Sequence, residues 1–91
     1  MRCEEKIPGG KLIAIEVWSN GNVVARAKIT GDFFLHPEEK IAEAELSLAG
    51  IPLSAGEGEV AARIRAALGD SELIGASAED FARIFVRAVS R

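Results

Sequence analysis

The sequence is poor in the side chains that perform most enzyme chemistry. Its 91 residues include one cysteine, one histidine and no tyrosine. A single cysteine cannot form a disulfide within the chain, and neither a cysteine-rich nor a multi-histidine metal site can be assembled. No run approaches the ~20 apolar residues of a membrane span, and the first thirty residues lack an apolar core of signal-peptide length. We therefore expect a cytoplasmic protein that folds without a disulfide or a metal.

Charge excludes further classes of protein. The chain has 11 lysines and arginines against 14 aspartates and glutamates, for a net charge of -3. No stretch carries five or six like charges in a row. We therefore expect no nucleic-acid partner and no membrane-surface partner. The length suits one domain with its own core, so residues 1–91 are predicted to be a single domain.

Apolar and polar residues alternate through the first third of the chain. Residues 3–7, 11–19 and 23–30 predict three antiparallel strands, separated by a Pro-Gly-Gly turn and a loop over residues 20–22. A three-residue loop is favoured, because it places Ile13 opposite Ile29 on one face. In this register Ala25 and Ala27 face the core, and Val24 and Trp18 face away from it. An outward tryptophan is either covered by a chain terminus or a candidate interface residue.

In the rest of the chain, apolar residues recur at the three- and four-residue spacing of helices. The spacing predicts helices over residues 37–49, over a second segment ending at Leu68, and over a third that Ser77 caps through a capping box. In the first helix, Ala44 and Leu48 are expected on the buried stripe and Glu45 mostly on the side that faces water. Residues 72–75 form at most a short extended piece. Three strands followed by three helices predict an α+β fold, in which a small antiparallel sheet of about three strands has three helices packed on one face.

The spacing of apolar residues changes from the period of two of a strand to the 3.6-residue period of a helix over residues 29–39 (ITGDFFLHPEE). Gly31 allows a sharp turn, and Asp32 can accept backbone hydrogen bonds within it. Pro37 fits the first turn of the helix that follows. Because successive side chains diverge, we expect one of Phe33 and Phe34 to be buried and the other more exposed. Read locally, this segment is a strand-to-helix corner.

No catalytic constellation emerges from the sequence. His36 directly precedes Pro37 and is expected to flank the helix start. The Gly-Gly-Lys run that ends at Lys11 lacks the first glycine, the following Ser or Thr, and the helix of a phosphate-binding loop. Cys3 lies near the start of the chain, beside the acidic Glu4, and so is a poor nucleophile. We predict no catalytic residue and no metal ligand.

Two motifs in order carry a family resemblance: residues 6–12 (KIPGGKL) and residues 29–39. With the chain as a whole, they resemble the C-terminal accessory domain of lipoate-protein ligases, which is a separate small subunit in the bipartite archaeal type. The resemblance implies a heterodimer with the catalytic subunit, which binds ATP, Mg²⁺ and lipoate, makes lipoyl-AMP and serves lipoyl-acceptor domains. It implies no cofactor bound by this chain alone and ligase activity only in the complex.

The resemblance also implies a fold related to sulfur-transfer scaffold proteins, although this chain has no loop cysteine. We expect the two motif loops to face the partner and its active site, since the predicted register brings both to one end of the sheet. The residues concerned are Gly9, Gly10, Lys11, Gly31, Asp32, Phe33, Phe34 and His36. Alternative interpretations are an interaction module that binds through Trp18, and a small sulfur-transfer protein that uses Cys3.

Overall fold

Five strands and three helices make up the computed structural model, which describes residues 1–9 and 11–90. In chain order they are β1 (Arg2–Lys6), β2 (Leu12–Asn20), β3 (Val23–Gly31), β4 (Phe34–His36), α1 (Lys40–Ser47), α2 (Glu57–Leu68), β5 (Glu72–Ile74) and α3 (Ala78–Val89). Within the described ranges, every helix is too short or too polar to cross a membrane.

The main sheet is antiparallel with strand order β1-β2-β3, and β4 and β5 form a separate two-stranded sheet. α1 lies against β3, α3 lies against β1 and β2, and α2 packs on both other helices. The predicted α+β class is therefore confirmed. The core between sheet and helices contains fully buried side chains that include Ile13, Ile15, Phe81 and Phe85. Each such side chain stabilises the fold by roughly 1.5–3 kcal/mol.

The register of the central hairpin differs from our prediction by two residues. Ile13 lies opposite Gly31, where the prediction placed Ile29, and Ile15 lies opposite Ile29. The turn has two residues and begins with Gly21, whose φ of 65° suits the first position of a tight hairpin turn. The three-residue loop was therefore wrong.

A β-bulge explains this error. The register shifts between Trp18 and Ser19 on β2, so that β3 holds one extra residue, Ala25, opposite that point. A bulge reverses the in-out alternation along the strand. As a result Val24 is buried and Ala25 is exposed, opposite to the prediction, while Ala27 beyond the bulge is buried as expected. Strict period-two counting cannot detect a change of phase inside a strand.

Helix α1 is shorter than predicted. The backbone N–H of Lys40 donates to Pro37 O at 3.1 Å, so the residues before α1 form tight turns and the α-helix begins three residues later than expected. Ala44 and Leu48 are buried as predicted. Glu45, expected mostly in water, is half-buried and accepts a hydrogen bond from the backbone N–H of Ile29 at 2.7 Å. This bond ties the exposed edge of β3 to α1.

Helix α3 is fixed at its first turn and along its side. The predicted capping box is present: Ser77 Oγ accepts from Asp80 N at 3.1 Å, and Asp80 Oδ2 accepts from Ser77 N at 3.0 Å. Glu5 on β1 pairs with Arg83 at 2.9 Å and with Arg87. Burial lowers the pKa of Arg83, but its bonds to Glu5 and Asp80 raise it more, and the net direction is upward. Edge strand β1 is thereby joined to α3.

Candidate functional site

The second sheet is the main feature that the sequence did not predict. β4 pairs antiparallel with β5, and Phe34 lies directly opposite Ile74. Leu35 is buried and Leu73 half-buried beneath this pair. Phe34 and Ile74 point the other way, with 52% and 54% of their surfaces exposed. Two large apolar side chains therefore lie side by side in solvent.

The two phenylalanines of the second motif have different surroundings. Phe33 is half-buried, and its ring meets the Phe81 ring edge to face, with centroids 5.1 Å apart. Such pairs contribute roughly 0.5–1.5 kcal/mol beyond the area they bury. The expected division into one inner and one outer ring is confirmed. Phe33 anchors the segment to α3, and Phe34 remains available at the surface.

His36 lies on the same outer side as Phe34, and the two rings stack with centroids 6.5 Å apart. Across the strand pair, His36 is opposite Glu72. The imidazole is exposed, like the neighbouring apolar pair. An exposed imidazole at this position is suited to contact with another molecule rather than to catalysis in a buried site.

The two sequence motifs meet where β3 ends. The backbone N–H of Asp32 donates to Leu12 O at 2.9 Å, and Leu12 N lies 3.4 Å from Asp32 Oδ2. A Cβ placed on Gly31 would lie 2.5 Å from Leu12 O and 3.1 Å from Ile13 Cα. Glycine is thus required at this position because β2 passes so close.

Lys11 extends from the first motif toward β5. A Cβ placed on Gly75 would lie 3.4 Å from Lys11 Cε, so the lysine stem runs across this glycine. Lys11 is not beside Gly31 as the predicted register required, but both motifs do lie at the same end of the sheet. Gly9 is an exposed turn residue with a φ of 96°. Gly10 lies outside the described residues.

We call the surface formed by Lys11, Asp32, Phe34, His36 and Ile74 the motif corner. An open groove of about 450 Å³ adjoins it, between the end of β3 and the start of α1. Phe33, Phe34 and Ile41 supply apolar walls, and Glu38 supplies a carboxylate. An apolar groove with one charged group is suited to receiving a side chain from another molecule.

Trp18 lies on the sheet surface that faces away from the helices, near the end of β2 that leads into the hairpin turn. We call this surface, with Arg2, Glu16, Trp18, Arg26 and Lys28, the outer sheet face. Trp18 is 39% exposed, and the guanidinium carbon of Arg26 stands 4.7 Å from its ring centroid. The N-terminal residue Met1 pairs with the neighbouring Val17 through two backbone hydrogen bonds of 2.7 and 2.9 Å. The cation from the neighbouring strand covers part of the ring.

The burial of Cys3 bears on the sulfur-transfer interpretation that the sequence left open. Cys3 is only 7% exposed and belongs to the core. A buried thiol in apolar surroundings does not suit sulfur transfer to or from another protein. Across residues 1–9 and 11–90, no group of three or more His, Cys, Asp or Glu side chains could hold a metal ion.

Comparison with known proteins gives a fold relationship. No family model matches the chain, and no curated protein matches it. A chain in a solved structure from Thermoplasma acidophilum aligns with a TM-score of 0.73, at 24% sequence identity, over 98% of this chain and 92% of that one. That structure is of an archaeal lipoylation system, a bipartite lipoate protein ligase and its E2 lipoyl domain. At this identity the similarity establishes a common fold.

Proposed function

We propose that this chain is the accessory subunit of a bipartite lipoate-protein ligase. With the catalytic subunit it supports ATP-dependent activation of lipoate to lipoyl-AMP, before transfer to a lysine of a lipoyl-acceptor domain. The observation that carries the proposal is the meeting of the two motifs, joined by the 2.9 Å bond between Asp32 and Leu12. These same motifs carry the family resemblance. The fold shared with a chain of the T. acidophilum lipoylation system supports it.

The contribution of this chain is conformational in this proposal. ATP, Mg²⁺ and lipoate are bound by the catalytic subunit, and the accessory subunit closes over that site. Closure excludes water and holds a flexible adenylate loop in its productive arrangement. The motif corner makes the contact. There Lys11 supplies a compact positive charge for a carboxylate or phosphate, and Phe34 supplies apolar area.

Reconstitution tests this function. Lipoyl-AMP formation from lipoate and Mg-ATP is measured with the catalytic ligase subunit of the same genome, while this protein is titrated in. We expect adenylate formation to depend on the added protein and to saturate at a one-to-one ratio. Equal adenylate formation by the catalytic subunit alone would refute the accessory role.

A second candidate function rests on Trp18. Its ring is partly exposed on the outer sheet face, and tryptophan is enriched among residues that dominate protein interfaces. The chain would then be an interaction module that recruits another protein through this face. In that case adenylate formation would not respond to this protein, and substitution of Trp18 would abolish recruitment.

A further inference from the structure

We propose that the motif corner binds a segment of the catalytic subunit in which a bulky apolar side chain is flanked by lysine or arginine. This inference rests on the proposed function and specifies its partner segment. It combines two observations: the exposed apolar pair and the acidic groups around it.

The apolar component of the site is the Phe34–Ile74 pair. The two residues are directly opposite each other on β4 and β5, and each is more than half exposed. The groove beside them continues this surface along Phe33 and Ile41. Paired apolar side chains next to an apolar groove form a contiguous patch, and such patches mark sites that another molecule covers. A bulky apolar side chain of the partner enters the groove and packs on Phe34.

The charged component consists of three exposed carboxylates. Glu38 lines the groove, Asp32 lies beside Leu12 at the motif junction, and Glu72 is on the same side of β5 as Ile74. Of the ion pairs within 4 Å in the described part of the chain, none involves these three residues. Of the cationic groups in this region, Lys11 lies on the side toward Gly75, Lys6 lies opposite Leu12 on β1, and Lys40 pairs with Glu43. A partner segment with basic residues beside its apolar anchor complements this pattern.

A second copy of this chain fits the motif corner poorly. Two-fold pairing would bring the same surface of each copy together. Asp32, Glu38 and Glu72 of one copy would then face the same carboxylates of the other, and like charges across an interface oppose association. The occupant is therefore a different polypeptide with the opposite charge.

The test is the affinity of the purified catalytic subunit for variants of the full chain. Phe34→Ala and Ile74→Ala remove the apolar anchors, and each is expected to weaken binding by about 30-fold. Glu38→Lys reverses a charge at the groove and is expected to weaken binding by about fivefold at low salt, with a smaller effect at high salt. Circular dichroism and thermal melting confirm that each variant is folded.

Matched controls come from other surfaces. Leu46→Ala removes an apolar side chain that is 73% exposed on α1, and Glu4→Lys reverses an exposed carboxylate on β1. Both are expected to bind within about twofold of the wild type, the usual range for substitutions outside an interface.

The outcomes separate this inference from the function on which it rests. If the wild-type chain does not bind the catalytic subunit, both are overturned. If it binds but Phe34→Ala and Ile74→Ala bind equally well, the docking site is wrong while the accessory role stands. If the apolar variants weaken binding and Glu38→Lys strengthens it or leaves it unchanged, the basic character of the partner segment is overturned.

Discussion

The motif corner and the outer sheet face both expose large apolar side chains, but the two surfaces leave those side chains exposed to different extents. Trp18 has the Arg26 guanidinium 4.7 Å from its ring centroid. Phe34 and Ile74 are more exposed, and they lie opposite each other in a strand pair of only three residues per strand. Exposure alone is therefore a weak indicator of an interface. The stronger indicator is a pair of exposed apolar side chains that adjoins an apolar groove, as Phe34 and Ile74 do.

The backbones of the two regions differ as well. In the outer sheet face, regular pairing places Glu16 between Arg2 and Lys28, so opposite charges alternate across the strands. At the motif corner, β2 and the end of β3 approach so closely that Gly31 has no space for a side chain. The backbone at the motif corner therefore leaves no room for a side chain at position 31. The outer sheet face, in contrast, is an ordinary solvated face of an antiparallel sheet.

Gly31→Ala should produce the largest effect on stability. The added Cβ would lie 2.5 Å from Leu12 O, so the backbone must move. We expect a loss of about 3 kcal/mol in the free energy of unfolding, and a melting temperature lower by about 15 °C. Gly56→Ala is the control, since a Cβ there meets nothing within 4 Å. A Gly31 variant that melts like the control would show that the close approach is not required.

Lys11→Ala and Asp32→Ala should affect function more than stability. Both side chains are exposed, so each variant is expected to unfold within about 1 kcal/mol of the wild type. In the reconstituted assay, each should reduce lipoyl-AMP formation by about tenfold or more at limiting concentrations of this protein. Lys28→Ala removes an equivalent charge from the outer sheet face and should change the rate by less than about twofold. Equal losses of lipoyl-AMP formation in all three variants would leave the motif corner unsupported as the surface that contacts the catalytic subunit.

Trp18→Ala should have the smallest effect on function. Loss of the Trp18–Arg26 contact is expected to cost about 1 kcal/mol of stability, measured by urea denaturation. Adenylate formation should remain within about twofold of the wild type. A Trp18 variant that is stable but inactive would transfer the docking role to the outer sheet face.

The sequence predicted a large part of the motif corner. Gly31, Asp32 and the Phe33–Phe34 division follow from turn chemistry and from the divergence of successive side chains. The β4–β5 pair was missed because three-residue strands are too short to show a period. Ile74 was therefore absent from the predicted site, and no local signal marks it. Only the pairing with Phe34 places it there.

The outer sheet face was predicted less accurately, although its strands were recognised. The bulge opposite Trp18 shifts the strand register. The alternation of apolar and polar residues cannot show this shift, because Val23, Val24 and Ala25 are all apolar. Helix boundaries that depend on side-chain hydrogen bonds, such as the Ser77 capping box, were predicted correctly. The start of α1, which depends on backbone turns, was not.

Hydroxyl-radical footprinting of the wild-type protein, free and bound to the catalytic subunit, compares the two surfaces most directly. Phe34, His36 and Trp18 are all exposed in the free chain, so the oxidation rate of each falls when another molecule covers it. We predict that binding protects Phe34 and His36 and leaves the oxidation rate of Trp18 unchanged. Protection of Trp18 with unchanged oxidation of Phe34 would contradict it.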